Sequence, residues 1–362
     1  MAKKLIWMTI VVAILITITA VAGNNAALHQ NGPIKLGVIA GTTGQYAPAG
    51  EGYLKGFKLA MAQWNASSTP KFFAIIEDDG FDAVKGLAAY KKLESVDNVD
   101  AFAIVSSFTI DAAYDLVHTD KKPVALGFEQ SKPAEDDNIF QVLPAAKPIQ
   151  FALAGKLKSL GYKAPVAAVS NTTSVYQNFY DGFNAGWGSE VKKFEIGSDI
   201  GGIKSQALAI VAAKPDVVAL FMAPKDGAQL VKEIMRITTP ADRPYFAFDQ
   251  DVQSGATDYQ TILGSDISKL DGSIVSMSSN DLTPAFKQAY TAVYNEAPPF
   301  GSDMGYNSFM LLATSYSSDP AAWVVNMKKA RFMGADGDVY FDDVGLRAPN
   351  IFFGKLQGGK VI

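Results

Sequence analysis

The sequence predicts an α/β protein built from two units, each a doubly wound parallel sheet covered by helices. Three observations carry this. A strand–helix alternation runs from Ile34 to about Pro144 and then starts again. The strands read as continuous apolar runs with polar residues only at their ends, which suits parallel strands buried on both faces. The chain has 362 residues, enough for about two domains.

The chain opens with Lys3 and Lys4 ahead of an uncharged apolar run from Leu5 to about Ala22, and Ala20-Val21-Ala22 supplies small residues suited to cleavage. Residues 1–23 are expected to be an export signal or, alternatively, an uncleaved anchor. Either places the folded part outside the cytoplasmic membrane. After it, IKLGVIAG is a strand, TTGQYAPAGEG a turn and GYLKGFKLAMAQWN a helix, followed by strand KFFAIIEDD and helix DAVKGLAAYKKLES. AFAIVSS, the helix DAAYDLVHTD, KPVALGF and IFQVLP complete the first unit. This order predicts right-handed parallel crossovers.

The second unit has helix KPIQFALAGKLKSLGY, strand APVAAVSN, helix VYQNFYDGFNAGW, strand EVKKFEIG and helix SQALAIVAAK. Strand DVVALFM, helix DGAQLVKEIMRI and strand PYFAFD follow. No Pro/Gly/Ser-rich linker separates the units, so short hinge crossovers are expected. From GSIVSMSS onward come three more helices and a terminal hairpin around GDVYFDDVG and NIFFGKLQ.

Composition narrows the function. There is no cysteine, which removes disulfides, thiolate metal sites and a cysteine nucleophile. A net charge of −4 without a long basic run argues against nucleic acid or an anionic membrane surface as partner. Two histidines cannot build the usual multi-histidine metal site, and no cofactor is expected.

The stretch from Asp100 to Glu135 is the most informative. Ser106, Ser107 and Thr109 sit where a buried strand hands over to a helix, and Glu129, Gln130 and Ser131 follow the next strand. In a parallel sheet both clusters lie at strand carboxyl ends, where open α/β folds bind ligands. Free N–H groups, hydroxyls and a helix dipole there favour a small anion. The alternative is that Ser106 and Thr109 are ordinary helix N-caps.

Enzyme motifs come close and fail. Gly50, Gly52 and Gly56 approach a dinucleotide fingerprint with the last glycine one position late, and Ile203 stands where a phosphate loop needs lysine. No G-x-S-x-G occurs. Asp78-Asp79 and Asp342-Asp343 read as turn formers.

In order, IKLGVIAGTTGQYAPAGEGYLKGFKLAMAQWN, EDDGFDAVKGLAAYKKL, FAIVSSFTIDAAYDL, KPVALGFEQSKPAE and FMGADGDVYFDDVGLR resemble the leucine/isoleucine/valine-binding family of type I periplasmic binding proteins. These are the substrate-binding proteins of ABC transporters. The resemblance implies two Rossmann-like lobes joined by three hinge crossovers, lobe 1 at 33–143 plus 275–349 and lobe 2 at 144–274 plus 350–362. It implies a monomer that delivers a small polar ligand, such as an amino acid or amide, to an ABC permease. By the resemblance, Ser106, Ser107 and Ser131 hold a ligand carboxylate, Asp249 receives an ammonium from lobe 2, and Tyr176 adds a hydroxyl or an aromatic face toward that ammonium; Tyr46 and Thr109 complete the candidate set. Glu129, Phe108 and FMAPKDG, which lacks the aromatic that the leucine binders carry near the cleft, depart from the family pattern. Glu129 is therefore expected either to point out of the cleft or to mark a ligand with an additional cationic or donating group. The rival expectation is a periplasmic regulatory module of the same fold that binds a protein.

Overall fold

A computed structural model describes residues 32–44, 46–278 and 282–362. The expected leader at 1–23 lies outside the described residues. Among the described residues no helix is long and apolar enough to cross a membrane.

The first unit alternates β1 (Ile34–Ile39), α1 (Ala47–Ser67), β2 (Phe72–Glu77), α2 (Ala83–Ser95), β3 (Ala101–Ile104), α3 (Ser107–Asp120), β4 (Val124–Leu126) and β5 (Ile139–Pro144). The second contains α4 (Ala146–Ser159), β6 (Pro165–Ser170), α5 (Val175–Trp187), β7 (Lys192–Ile196), α6 (Ile200–Ala212), β8 (Val217–Phe221), α7 (Pro224–Ile237) and β9 (Tyr245–Phe248). It continues through short helices α8 (Asp251–Ser254) and α9 (Ala256–Leu263) and a 3₁₀ turn (Gly264–Leu270) into β10 (Ile274–Met277). Helices α10 (Pro284–Tyr294), α11 (Ser302–Thr314) and α12 (Pro320–Lys328) follow. The chain ends with β11 (Arg331–Gly334), β12 (Gly337–Tyr340), β13 (Leu346–Arg347), β14 (Phe352–Gln357) and β15 (Lys360–Val361).

Two sheets result, with strand orders β13-β5-β4-β3-β1-β2 and β15-β14-β10-β9-β8-β6-β7. The first is parallel throughout. In the second, β6 to β10 run parallel, whereas β14 is antiparallel to β10 and β15 to β14. The chain passes between sheets after β5, after β10 and after β13. β10 thus belongs to the second sheet, and the middle passage lies beyond Met277.

The terminal hairpin differs from expectation. GDVY pairs with Arg331–Gly334 as an independent two-stranded ribbon, while Phe352–Gln357 joins the second sheet. Each segment is a strand but finds a different partner, because β13 inserts between them and pairs with β5. A buried ion pair pins this region: Arg347 Nη1 lies 2.9 Å from Asp336 Oδ2, both side chains almost fully enclosed, and donates to the Val142 carbonyl at 3.2 Å. Asn307 donates to the other Asp336 oxygen.

The near-fingerprint glycines serve packing. A methyl group on Gly50 would lie 1.9 Å from the Gly41 carbonyl oxygen, on Gly52 2.2 Å from that of Phe300, and on Gly56 1.8 Å from that of Ser302. Gly305 meets the Tyr53 carbonyl equally closely. Helices α1 and α11 therefore touch backbone to backbone across the first lobe, in a core that includes Tyr53, Phe57 and Phe309. Sheet and helix burial in the second lobe forms separate clusters around Phe248, Leu220 and Ile234 on one face and Phe183, Phe221 and Trp187 on the other.

Candidate functional site

The carboxyl ends of parallel strands in both sheets face the gap between them, and a cavity of about 280 Å³ lies there. That is the small end of the range for organic ligands. Its walls come from both lobes.

The first lobe supplies an aromatic wall. After β2, Asp78 accepts from Thr42 N–H, Gly80 N–H and the Thr43 hydroxyl, closing a tight turn. Buried Asp79 accepts from Phe81 N–H and from the Thr109 hydroxyl. These bonds hold Phe81 at φ 56°, in the left-handed region where a bulky side chain is strained without such bracing. The Phe81 ring meets Tyr46 edge-on at 5.3 Å and stacks on Phe128 at 5.8 Å, and Phe128 in turn lies 6.2 Å from Phe300. Phe108, at the start of α3, and Leu143, at the end of β5, complete this side.

The second lobe contributes Thr172 and Thr173 after β6, Val175, Tyr176 and Phe179 on α5, Lys225 at the start of α7, and Asp251 at the start of α8. Tyr176 and Phe179 pack edge-on at 5.7 Å. The Tyr176 hydroxyl donates to Asp251 Oδ2 at 3.0 Å.

Carboxyl groups set the electrostatics. Glu129 lines the cavity and is only 5% exposed. Its Oε2 accepts from Gln141 Nε2 at 3.1 Å, and Gln141 Oε1 accepts from Gln130 N–H, so the side chain is clamped to β5. Burial pushes its pKa up to about 8, with the Ala146 N–H, Gln141 and Lys147 pulling the other way and Asp251 adding to the rise. Asp249 lies behind the wall, 2% exposed. One of its oxygens accepts from Asp251 N–H at 2.8 Å, while Oδ2 is buried with no partner among the described residues. Burial, reinforced by Asp251, raises Asp249 well above the ordinary carboxyl range. Burial raises Asp251 too, and the Tyr176 hydroxyl opposes it.

Of the candidate residues, Tyr46, Ser107, Glu129 and Tyr176 come together on the cavity, and Ser106, Thr109, Ser131 and Asp249 do not line it. Ser106 is the N-cap of α3 and accepts from Phe108 N–H. Thr109 braces Asp79. The Ser131 hydroxyl bonds Asp111. The Ser107 hydroxyl donates to the Glu129 carbonyl at 2.7 Å, tying the ends of β3 and β4 together. Glu129 is among the residues that line the cavity, not turned away from the cleft.

Sequence reasoning passes over Phe81, Phe128, Phe179, Lys225, Asp251 and Phe300. Most of these closely follow an apolar run with the pattern of a strand, and that position is the signal which could find them. Phe300 has none, because it enters from the loop before α11.

Two α/β lobes whose strand ends enclose a solute-sized cavity define a binding protein of the type I periplasmic fold. The chain belongs to the periplasmic binding protein family, whose profile matches residues 33–360. Among solved structures it is similar to leucine-binding protein LivK from Thermotoga maritima, with a TM-score of 0.76 and 17% identity over 91% of this chain and 97% of that one. A Rhodopseudomonas palustris ABC transporter solute-binding protein in complex with benzoate gives 0.70 and 20%, over 91% and 95%. LivJ from Streptococcus pneumoniae in complex with isoleucine gives 0.73 and 17%, over 91% and 98%. Among curated proteins, none matches by sequence.

Proposed function

We propose that this protein is an extracytoplasmic solute receptor that captures one small organic molecule between its lobes and presents it to an ABC permease. The observation that carries this reading is the open cavity with walls from both lobes. A ligand that touches both walls favours the closed arrangement, so closure reports occupancy to a partner. The branched-chain amino acid and benzoate complexes among similar structures support a ligand of this size. The protein acts as a monomer and performs no chemistry on its ligand. A cavity that remains open weighs against the regulatory-module reading, which needs a cleft filled by side chains.

A thermal-shift screen of the purified protein against amino acids, amides, amines, polyamines, short peptides and aromatic acids tests the proposal. A true ligand at about 100 times its Kd stabilises by roughly 2.7 kcal/mol, a plainly visible rise in Tm. Silence across the panel, for protein shown to be free of carried-over ligand, would refute it.

A further inference from the structure

We infer that the molecule held between the lobes is an organic cation with a compact aromatic or branched apolar body, an amine or quaternary ammonium rather than an amino acid or an aromatic acid. This rests on the reading of the interlobe cavity as the ligand site.

An anion would need free donors on the cavity wall. The resemblance assigns a ligand carboxylate to Ser106, Ser107 and Ser131, but Ser106 is fully buried off the wall, and the Ser107 and Ser131 hydroxyl protons are already donated inside the protein. Ser106 caps Phe108 N–H, Ser107 donates to the Glu129 carbonyl, and Ser131 donates to Asp111. In place of a carboxylate cradle the first lobe lines the cavity with Glu129, whose carboxyl accepts from Gln141. A bound cation would draw the proton off that buried acid and pair with it, whereas an incoming carboxylate would gain no countercharge from it.

The opposite wall repeats the pattern. Asp251 and Asp258 line the cavity from the second lobe, and Asp249, with an oxygen that has no partner among the described residues, stands directly behind Asp251. Among the described residues the only lysine on the wall, Lys225, is exposed at its margin, and Lys147 near Glu129 is half exposed and leans toward Asp181 at 3.9 Å. Neither is a buried countercharge. Two of these carboxyls, Glu129 and Asp249, are buried, and burying such groups without a countercharge is costly unless a ligand supplies it. A simple zwitterion would neutralise one group and add another negative charge, so net positive charge is what the walls select.

The remaining surface says what the cation carries. Tyr46, Phe81, Phe108 and Phe128 from one lobe face Tyr176 and Phe179 from the other. Aromatic faces attract a desolvated ammonium and pack an apolar body. About 280 Å³ accommodates one ring with a short chain.

The test uses a matched series: 2-phenylethylamine and benzyltrimethylammonium as cations, 3-phenylpropionate as anion and phenylalanine as zwitterion. Calorimetry and thermal shift are run on the wild-type protein and on Glu129→Gln and Asp251→Asn. The expected result is binding of a cation alone, weakened about thirtyfold or more in each variant. Both variants should melt no lower than the unliganded wild type, since each removes a buried acid, so lost binding reads as lost recognition. Tighter binding of the anion or zwitterion, or cation affinity unchanged in both variants, would overturn the inference and leave the receptor reading standing. If neither cation binds while another solute of the wider screen does, the inference likewise fails alone. If nothing binds, both fall.

Discussion

Replacing Glu129 with glutamine should change how the stability of the empty protein depends on pH. The carboxyl is buried against Gln141, with Lys147 and Asp251 nearby, and its pKa rises from 4.5 to about 8 on folding. The sign follows from the linkage relation. Between these two values the unfolded chain releases the proton and the folded chain retains it, so stability falls as pH rises. Each tenfold change in proton affinity is worth about 1.36 kcal/mol, so wild type should lose about 3 to 4 kcal/mol from this group between about pH 5 and pH 8. The neutral amide of the Glu129→Gln variant carries no such penalty. Urea unfolding at several pH values measures the effect as the difference between the two stability curves. That difference should be small near pH 5 and should grow to favour the variant by several kcal/mol at pH 8. A constant offset is the ordinary result of altered hydrogen bonding to Ala146 and Gln141. Curves that stay parallel over the range would refute the claim that Glu129 is held uncharged by its burial.

Further outcomes follow from other contacts. Ser106→Ala removes the α3 cap and should cost about 1 kcal/mol of stability with ligand affinity within a factor of two; a large loss of affinity would return Ser106 to the site. Arg347→Met strands the Asp336 carboxylate in the first lobe, which should cost about 3–5 kcal/mol by urea denaturation, and an unchanged midpoint would show that the pair is dispensable. Gly56→Ala drives a methyl into the Ser302 carbonyl and should destabilise by about 1–3 kcal/mol; a wild-type Tm would mean that the two helices part easily.

The lobes and their parallel strands are legible because buried parallel strands leave an unmistakable pattern, as in AFAI and VVALF, whose residues are all buried. The reversed direction of β14 leaves no such mark: FFGKLQ is mostly exposed and buries only Leu356. At the site, sequence places the polar clusters at strand ends but cannot resolve neighbours. Ser106 turns inward to cap a helix while Ser107 reaches the cavity. Asp249 stays beneath the wall, and Asp251, two residues on, lines it because the chain has already turned into α8. Phe300 belongs to an aromatic wall whose other first-lobe members precede it by well over a hundred residues, and nothing local announces it.

The backbone seam between α1 and α11 also bears on the order in which the molecule assembles. It joins residues 47–67 to residues 302–314, with nearly the whole of the second lobe synthesised between them. The second lobe, apart from edge strands β14 and β15, is one continuous stretch and can condense as soon as it emerges. The first lobe must hold half of a core open until its missing helix arrives, the kind of long-range closure that slows folding. Pulsed hydrogen exchange during refolding should find β6, β8 and β9 protected before β1 and β3, and the reverse order would contradict this. A chaperone that escorts the nascent chain would then find its apolar surface mainly on the lobe made first.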